Sequence, residues 1–219
     1  MAELKPRLQK HVELLISRYP ALGEIRDSFI DAYLLMQESY ERDCKLLVAG
    51  NGGSASDSEH ITGELMKRFK ISRPVPEELS QRLKAVDPER GAELARSLER
   101  PLTAIPLTTH EALTTAFMND VGAVDAYAQQ LLGYGRPGDV FLGISTSGNS
   151  ENILRCIVTA RALGIRTVGL TGGTGGKMAE MCDVIVKAPE SETYRIQEYH
   201  LPIYHCWCLM LEDYFFGAE

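Results

Sequence analysis

The sequence predicts an α/β protein, a three-layer αβα sandwich in which a parallel β-sheet lies between two layers of helices. Five short apolar runs have the length of buried strands, and a stretch of helical character precedes each later run. Several runs are apolar or β-branched throughout, which is typical of strands covered on both faces of a parallel sheet. The 219 residues are enough for one such domain, so we expect residues 1–219 to form a single unit.

Helical structure is predicted before the first strand. Between residues 4 and 40, apolar side chains recur at the three- and four-residue spacing of a helix. The Tyr19-Pro20 step should separate two helices, because a residue that precedes proline avoids the helical conformation. The apolar positions are Leu8, Val12, Leu15, Ile16, Phe29, Ala32, Tyr33 and Met36.

The predicted strands follow in chain order, and a last long helix is predicted from about Tyr194 to Phe216. The strands are KLLVAG (45–50), LTAIPL (102–107), DVFLGI (139–144), RTVGLT (166–171) and DVIVKA (183–188).

Residues 72–101 interrupt the alternation of strands and helices. The segment contains two short charged helical stretches, with Pro76 and Pro88 near their starts and Asp87 placed to cap the second. About 30 residues make a poor independent core. We therefore predict an inserted helical hairpin and not a separate domain.

The composition restricts the partners. Hydrophobic residues make up 44% and charged residues 24%, ordinary values for a globular protein. The net charge of −7 argues against a nucleic-acid or anionic-membrane partner, although a local basic patch is compatible with it. No apolar run reaches the roughly 18 residues of a membrane span, and the N-terminus lacks an apolar signal core. We expect a cytoplasmic protein whose five cysteines are free thiols.

A glycine-rich turn follows the first predicted strand. Its letters, GNGGSA (50–55), fit the start of a dinucleotide-binding fingerprint, but no acidic residue ends a strand about 20 positions later. A second stretch, TGGTGGKM (171–178), lacks the first glycine and the final hydroxyl of a nucleotide P-loop and reads as a turn before a short helix. For the first turn we favour an anion, which backbone N–H groups at a helix N-terminus attract.

A hydroxyl-rich loop, GISTSGNSENI (143–153), follows the third predicted strand. A compact ring of O–H and N–H donors suits a phosphate monoester, and a helix N-terminus supplies positive potential without a lysine. The alternative is helix capping by Asn149 or Ser150, for which one hydroxyl is sufficient. The four hydroxyls belong to Ser145, Thr146, Ser147 and Ser150.

His60 and Glu64 are four residues apart on the helix predicted after the glycine turn. This spacing places both side chains on one helix face, about 6 Å apart along the axis. An exposed helix pair is the alternative. The neighbouring glycine turn and hydroxyl-rich loop favour a functional pair.

The motifs STSGNS and GNGGS, each after a buried strand, resemble those of the SIS (sugar isomerase) domain. The patterns NGGSxxxxxH-x3-E and RIQExH…H are similar to those of its sedoheptulose 7-phosphate isomerase group, the phosphoheptose isomerases. The resemblance covers most of residues 1–219 except the inserted segment 72–101. It implies a five-stranded parallel sheet between helices and a homotetramer with active sites at subunit interfaces.

The resemblance also implies an activity and a set of site residues. The implied reaction converts a ketose phosphate into an aldose phosphate, sedoheptulose 7-phosphate into D-glycero-D-manno-heptose 7-phosphate. Glu64 and His205 match the catalytic pair. One Zn²⁺ per subunit is implied at positions that match His60, Glu64, Gln197 and His205. Substrate contacts are implied for Asn51, Gly52, Gly53, Ser54, Glu64, Asn119, Asp120, Ser145, Thr146, Ser147, Ser150 and Gln197.

The residue types themselves suit this chemistry. Moving a carbonyl between neighbouring carbons takes a proton from one carbon and returns one to the other, through a cis-enediol. A carboxylate can carry that proton, a histidine can move protons among the oxygens near pH 7, and a metal ion or strong donor can stabilise the enediolate. The implied N and O ligands suit zinc, and other divalent ions fit nearly as well.

Some residue assignments stay open at the level of the sequence. Gln197 and His205 are about 12 Å apart along a straight helix, so they share an ion only if long side chains converge, Pro202 kinks the helix, or subunits pool ligands. His200 competes with His205, with a surface or interface position as its alternative. His11 and His110 have no supporting pattern, and we expect them to be structural or exposed.

Two other functions also stay open. One is a non-catalytic SIS module that binds a sugar phosphate or a protein partner, like the replication-initiator-binding relative, which lacks the late-helix histidine that His205 matches. The other is an isomerase of a different phosphosugar, such as an amino sugar.

Overall fold

A single parallel sheet of five strands forms the centre of the molecule in the computed structural model, which describes residues 4–218. The order across the sheet is β2-β1-β3-β4-β5, and every neighbouring pair is parallel. Each predicted apolar run contains one strand, so the predicted fold class is confirmed. The strands are β1 (Leu46–Ala49), β2 (Ala104–Pro106), β3 (Val140–Ser145), β4 (Arg166–Thr171) and β5 (Val184–Lys187).

Helices cover the sheet, and the predicted break at Tyr19 is present. A 3₁₀ helix at Pro20–Ile25 separates the first two α-helices, and the last helix runs unbroken through Pro202. The α-helices are α1 (Pro6–Arg18), α2 (Arg26–Glu41), α3 (Gly53–Met66), α4 (Glu77–Val86), α5 (Pro88–Ser97), α6 (Glu111–Asp120), α7 (Ala126–Tyr134), α8 (Glu151–Ala162), α9 (Met178–Met181) and α10 (Thr193–Phe216).

Two hydrophobic cores lie on opposite faces of the sheet. Along β1, Leu46 and Val48 pack into the core that α1, α2, α3 and α10 cover. Leu47 and Ala49 pack into the core that α7 and α8 cover. Successive side chains of a strand point to opposite faces, so an apolar run without alternation requires helices on both sides, and the three layers follow.

The strand order creates a crevice at the carboxyl ends of the strands. From β1 the chain passes to β2 on one side, and β3 lies on the other side of β1. In open parallel sheets, ligands bind outside the carboxyl ends of the strands where the order changes direction in this way. The two loops singled out in the sequence follow β1 and β3, so both meet at this crevice.

The inserted segment forms the predicted helical hairpin. Helices α4 and α5 pack on each other and barely on the remaining elements. The Asp87 side chain accepts the N–H groups of Glu89 at 3.1 Å and Arg90 at 2.8 Å, which confirms the predicted cap. At the base of the hairpin, Pro74 and Glu99 form an antiparallel bridge, so the segment leaves and re-enters the domain at one place.

Within residues 4–218, no helix is long and apolar enough to cross a membrane. All five cysteines have free thiols, as predicted.

Candidate active site

The glycine turn after β1 brings α3 against α10. A side chain at Gly50 would meet the backbone of Ser54, because a Cβ there would lie 2.4 Å from the Ser54 carbonyl oxygen. A Cβ at Gly53 would lie 2.5 Å from Nε2 of Gln197. Glycine at these two positions therefore allows the tight entry into α3 and the close approach of the Gln197 amide to its first turn.

The hydroxyl-rich loop after β3 is joined to the glycine turn. The side-chain amides of Asn51 and Asn152 exchange two hydrogen bonds, of 2.9 and 2.8 Å. Ser145 Oγ lies 2.9 Å from Ser150 Oγ and 3.5 Å from Ser147 Oγ. Ser150 occupies the cap position of α8, yet its side chain caps no backbone N–H of that helix. The capping interpretation of this hydroxyl is therefore wrong, and the three hydroxyls face one another at the N-terminus of α8.

A cleft of about 630 Å³ opens beside this loop. The TGGTGGKM stretch supports the loop from behind, since the Gly172 N–H donates to the Thr146 carbonyl at 3.0 Å and the Lys177 N–H donates to Asn149 Oδ1 at 3.0 Å. It ends in the short helix α9, as predicted for a turn. The cleft is lined by Thr146, Ser147, Asn149, Gly172, Gly173, Thr174, Pro189, Glu190, Ser191 and Ile196.

A cluster of two imidazoles and a carboxylate lies farther along the α3–α10 contact. His60 Nε2 is 3.3 Å from Glu64 Oε1 and 3.4 Å from His205 Nε2. The His60 side chain is 43% exposed and that of Glu64 only 15%, so the cluster opens to solvent on the His60 side. The second Glu64 oxygen lies 3.2 Å from Lys67 Nζ. The i,i+4 pair predicted from the sequence thus gains His205 as a third member.

The electrostatic surroundings keep His205 neutral near pH 7. Burial lowers the pKa of its imidazole, the neighbouring His60 lowers it further, and the Glu64 charge opposes the shift. A neutral imidazole offers one lone pair, so His205 can accept a proton or bind a metal ion.

Gln197 does not join this cluster. The two helices lie side by side, with Gln197 against Gly53 and His205 against His60. Because α10 continues as one helix through Pro202, the two side chains stay about 12 Å apart along its axis. Within one protomer, Gln197 therefore lies beside the glycine turn.

The donor set suits zinc only in part. In a tetrahedral site with bonds of about 2.0–2.1 Å, neighbouring donors lie about 3.3 Å apart, and the His60–Glu64 and His60–His205 distances match that spacing. Yet in the described part of the chain, no three His, Cys, Asp or Glu side chains converge closely enough to hold an ion. The His60–Glu64 and His60–His205 pairs are therefore spaced like metal ligands, but the three side chains as they stand do not form a metal site, and the fourth implied ligand, Gln197, lies beside Gly53.

Two implied substrate contacts lie apart from these groups. Asn119 and Asp120 are exposed at the end of α6, and Asn119 donates to Asp120 at 2.8 Å. Helix α6 buries none of its residues and packs chiefly against α7 and the 3₁₀ turn at Ala123–Asp125. Neither side chain hydrogen-bonds to the hydroxyl-rich loop or the His60–Glu64–His205 cluster among the described residues.

The remaining histidines have structural positions. His200 is fully buried, and its Nε2 lies 3.2 Å from the Thr171 carbonyl oxygen, so the surface or interface position considered for it is wrong for the protomer. Burial lowers the pKa of His200 to about 4. His11 pairs with Asp213 at 2.7 Å, and the His110 ring caps α6.

Sequence reasoning missed two residues next to the cluster, Tyr204 and Asp57. The Tyr204 hydroxyl lies 3.0 Å from His60 Nδ1 and donates to Asp57 Oδ1 at 3.2 Å. Asp57 precedes His60 by three positions, so helical spacing could have placed it on the same face. No local spacing predicts the contact between Tyr204 and His60, because it depends on the packing of α10 against α3.

Comparison with known proteins gives consistent results. Residues 90–172 match the SIS domain family. A phosphoheptose isomerase of Aneurinibacillus thermoaerophilus is 41% identical over 82% of this chain and 77% of its own length. One of Geotalea daltonii is 37% identical over 99% of this chain and 98% of its own. The solved structure of a phosphoheptose isomerase from Neisseria gonorrhoeae aligns with a TM-score of 0.71 at 30% identity, over 96% of this chain and 100% of that one.

Proposed function

The chain belongs to the phosphoheptose isomerase family, and from this membership we propose that it interconverts sedoheptulose 7-phosphate and D-glycero-D-manno-heptose 7-phosphate. It is an aldose–ketose isomerase of a sugar phosphate. One observation carries the choice of site: packing of α3 against α10 brings Glu64, His60 and His205 together, and His60 and Glu64 lie about two and three helical turns along α3 from the glycine turn at the crevice.

The hydroxyl-rich loop is the proposed phosphate site. Ser145, Ser147 and Ser150 face one another at the start of α8, and Thr146 lines the adjoining cleft. Hydroxyls and free N–H groups at a helix N-terminus stabilise a dianion. With the phosphate held there, the sugar chain extends past Asn51 and the glycine turn towards Glu64.

Glu64 is the proposed base. Its largely buried carboxylate takes the proton from the carbon beside the carbonyl and returns it to the neighbouring carbon, through a cis-enediol. His205 is neutral and adjacent, so its imidazole moves the second proton between the two sugar oxygens. The amide of Gln197, beside the turn, is a donor for a sugar hydroxyl.

We further propose that a divalent ion, zinc in the first instance, binds to His60, Glu64 and His205. When bound, such an ion polarises the substrate carbonyl and stabilises negative charge on the enediolate oxygens. Gln197 is a ligand only if its side chain leaves Gly53 or if another subunit is involved.

The proposed assembly is a homotetramer with active sites at the subunit interfaces. Asn119 and Asp120 support this view, because they are exposed on a helix without buried residues and, among the described residues, make no hydrogen bond to the loops of their own protomer. In an oligomer they can approach the cleft of another copy. The cytoplasmic location stays a prediction, with which the free cysteines agree.

The test is proton exchange at carbon. The protein, loaded with Zn²⁺, is incubated in heavy water with sedoheptulose 7-phosphate, with fructose 6-phosphate and with an amino-sugar phosphate. We expect deuterium at the carbon beside the carbonyl, fastest with sedoheptulose 7-phosphate. Faster exchange with another sugar would overturn the substrate assignment. Binding without exchange for all three would favour the non-catalytic module.

A further inference from the structure

A buried phenol lies directly behind His60. Tyr204 is 1% exposed, and its hydroxyl is 3.0 Å from His60 Nδ1, the ring nitrogen that faces away from Glu64 and His205. Its ring also contacts the edges of both imidazoles, with centroids 5.5 Å from His60 and 5.0 Å from His205. The hydroxyl is the group through which the Tyr204 side chain can form a hydrogen bond with the His60 ring.

The direction of the hydrogen bonds follows from Asp57. The Tyr204 hydroxyl donates to Asp57 Oδ1 at 3.2 Å, and Asp57 Oδ2 is buried without a hydrogen-bond partner among the described residues. If Tyr204 gave its proton to His60 instead, the half-buried Asp57 carboxylate would lose that hydrogen bond, which is costly for a charged group. A tyrosine hydroxyl keeps its proton near pH 7, because the ordinary pKa of a phenol is about 10.

The tautomer of His60 follows in turn. A tyrosine hydroxyl has one proton, and this proton is directed to Asp57, so the oxygen is an acceptor towards His60. A neutral His60 then carries its proton on Nδ1. Its Nε2 presents a lone pair to the space shared with Glu64 and His205, which is the form of imidazole that binds a metal ion.

We propose that Tyr204 is a positioning residue for His60: held by Asp57, its hydroxyl accepts the Nδ1 proton and fixes the ring with the Nε2 lone pair aimed at the space between Glu64 and His205. The inference rests on the proposed function only for the identity of the bound group. The fixed tautomer and ring orientation are properties of the protein alone.

The first measurement needs neither metal nor substrate. In protein labelled with ¹⁵N-histidine, the nitrogen shifts of the neutral His60 ring should report Nδ1 as protonated and Nε2 as unprotonated. Tyr204→Phe keeps the ring and removes only the hydroxyl, so it should lose this preference. A proton on His60 Nε2 in the unmodified protein would overturn the proposal.

The second measurement is Zn²⁺ affinity, obtained by competition with a chelator. Groups that orient a metal-binding histidine typically contribute 10- to 100-fold in affinity, so we expect Tyr204→Phe to bind Zn²⁺ about 10- to 100-fold more weakly. In turnover the same variant should lower kcat more than it changes KM, because the phosphate loop is untouched.

Tyr199→Phe is the matched control. It makes the same chemical change on α10, and no hydrogen bond is present at the Tyr199 hydroxyl within residues 4–218. We expect this control to keep the tautomer, the Zn²⁺ affinity and the kcat. Equal Zn²⁺ affinity and an unchanged tautomer in Tyr204→Phe would exclude a positioning role. If unmodified protein failed to isomerise any sugar, the nitrogen shifts would still decide the proposal, so the two failures are distinguishable.

Discussion

Glu64 is the carboxylate on which the proposed proton transfer depends. It is largely buried, next to His60 on one side and Lys67 on the other. Glu64→Gln keeps the size of the side chain but removes the base. Because general acid–base groups typically contribute 10²–10⁴-fold, we expect deuterium exchange to fall by about that factor, while calorimetry still detects substrate binding.

The control for this change is Glu59→Gln on the same helix. Glu59 is exposed, and its carboxylate accepts a hydrogen bond from Thr108 outside the cluster, so we expect normal exchange. Full exchange in Glu64→Gln would remove Glu64 from the role of base.

His205 is the proposed carrier of the second proton. We expect His205→Asn to reduce kcat by about 10²-fold with a smaller change in KM, as measured in steady-state turnover. His200 cannot replace it, since it is fully buried and its Nε2 faces the Thr171 carbonyl. Unchanged turnover in His205→Asn would transfer the role to His60, the other imidazole of the cluster.

Single residues were predictable where the relevant spacing is local. His60 and Glu64 are one helical turn apart, so the sequence alone places them on one face. Tyr204 was missed because its contact with His60 joins two helices separated by more than 100 residues in the chain. Asp57 lies on the same helix as His60, but its link to that residue runs through Tyr204. Gln197 was correctly expected to be too far from His205 for easy contact, but its position against Gly53 required the structure.

At the scale of elements, the β1–α3 turn offers a paired test. In Gly53→Ala, the new methyl group meets only the end of the flexible Gln197 side chain. We expect the free energy of unfolding to fall by less than about 1 kcal/mol. We expect KM to rise, because the new methyl group displaces the Gln197 amide. Calorimetric unfolding and KM are the two measurements.

Gly50→Ala is the contrasting variant. There the methyl group would lie 2.4 Å from the Ser54 carbonyl oxygen, a backbone atom that moves only if the whole turn shifts. We expect the free energy of unfolding to fall by roughly 1–3 kcal/mol. If both variants lost the same stability, the contact of Gly53 with Gln197 would not be the reason for glycine at position 53.

The α4–α5 hairpin should be removable. Its ends already meet, through the Pro74–Glu99 bridge and a hydrogen bond of 2.8 Å from the Arg100 N–H to the Arg73 carbonyl. Replacing residues 75–98 by a short Gly-Asn linker should leave a cooperatively folding protein with less helical circular dichroism. Loss of cooperative folding would show that the hairpin belongs to the core.

Arg73→Met is the comparison for this deletion. Arg73 lies at the base of the hairpin, so the variant tests a buried residue beside the deleted segment. Its guanidinium is fully buried and pairs with Glu212 at 2.9 Å. Removing one member of a buried pair typically costs about 3–5 kcal/mol. We therefore expect this single substitution to destabilise the protein more than deletion of the hairpin.

Elements were predictable to the extent that burial shapes their sequence. The strands stand out because both faces are covered, and Asp87 stands out because an N-cap needs a short acceptor. The second run was predicted over residues 102–107, whereas β2 spans only Ala104–Pro106. This strand lies at the edge of the sheet, and Pro106 lacks the N–H that would extend the ladder.

At the scale of the whole molecule, the three-layer architecture is easier to predict from the sequence than the arrangement of the site residues. Two apolar faces per strand require two helical layers, so the three-layer fold follows from patterning alone. The site depends on relative helix positions, and within the described protomer Asn119 and Asp120 hydrogen-bond to each other and not to the loops. Their substrate contacts stay a prediction, which depends on the proposed second copy of the chain, and no pattern within one chain can position that copy.

The stability of the whole domain should depend on pH through His200. Its imidazole lies in the core between α10 and the end of β4, and burial lowers its pKa to about 4. The unfolded chain binds a proton at this residue near pH 6.5, whereas the folded protein resists it until about pH 4. Protonation of His200 in the unfolded chain therefore does not lower the stability of the folded state above pH 6.5. As the pH falls from 6.5 towards 4, this protonation lowers the free energy of unfolding by about 3 kcal/mol.

His200→Gln separates this contribution from that of other groups. Urea unfolding at pH 7 and pH 4.5 should show a smaller loss of stability for the variant than for the unmodified protein, because the glutamine has no proton to gain. Asp213 and Asp183, whose pKa values are lowered in the folded state, lose stability in acid in both proteins. Equal losses in His200→Gln and the unmodified protein would show that His200 accepts its proton without unfolding the core.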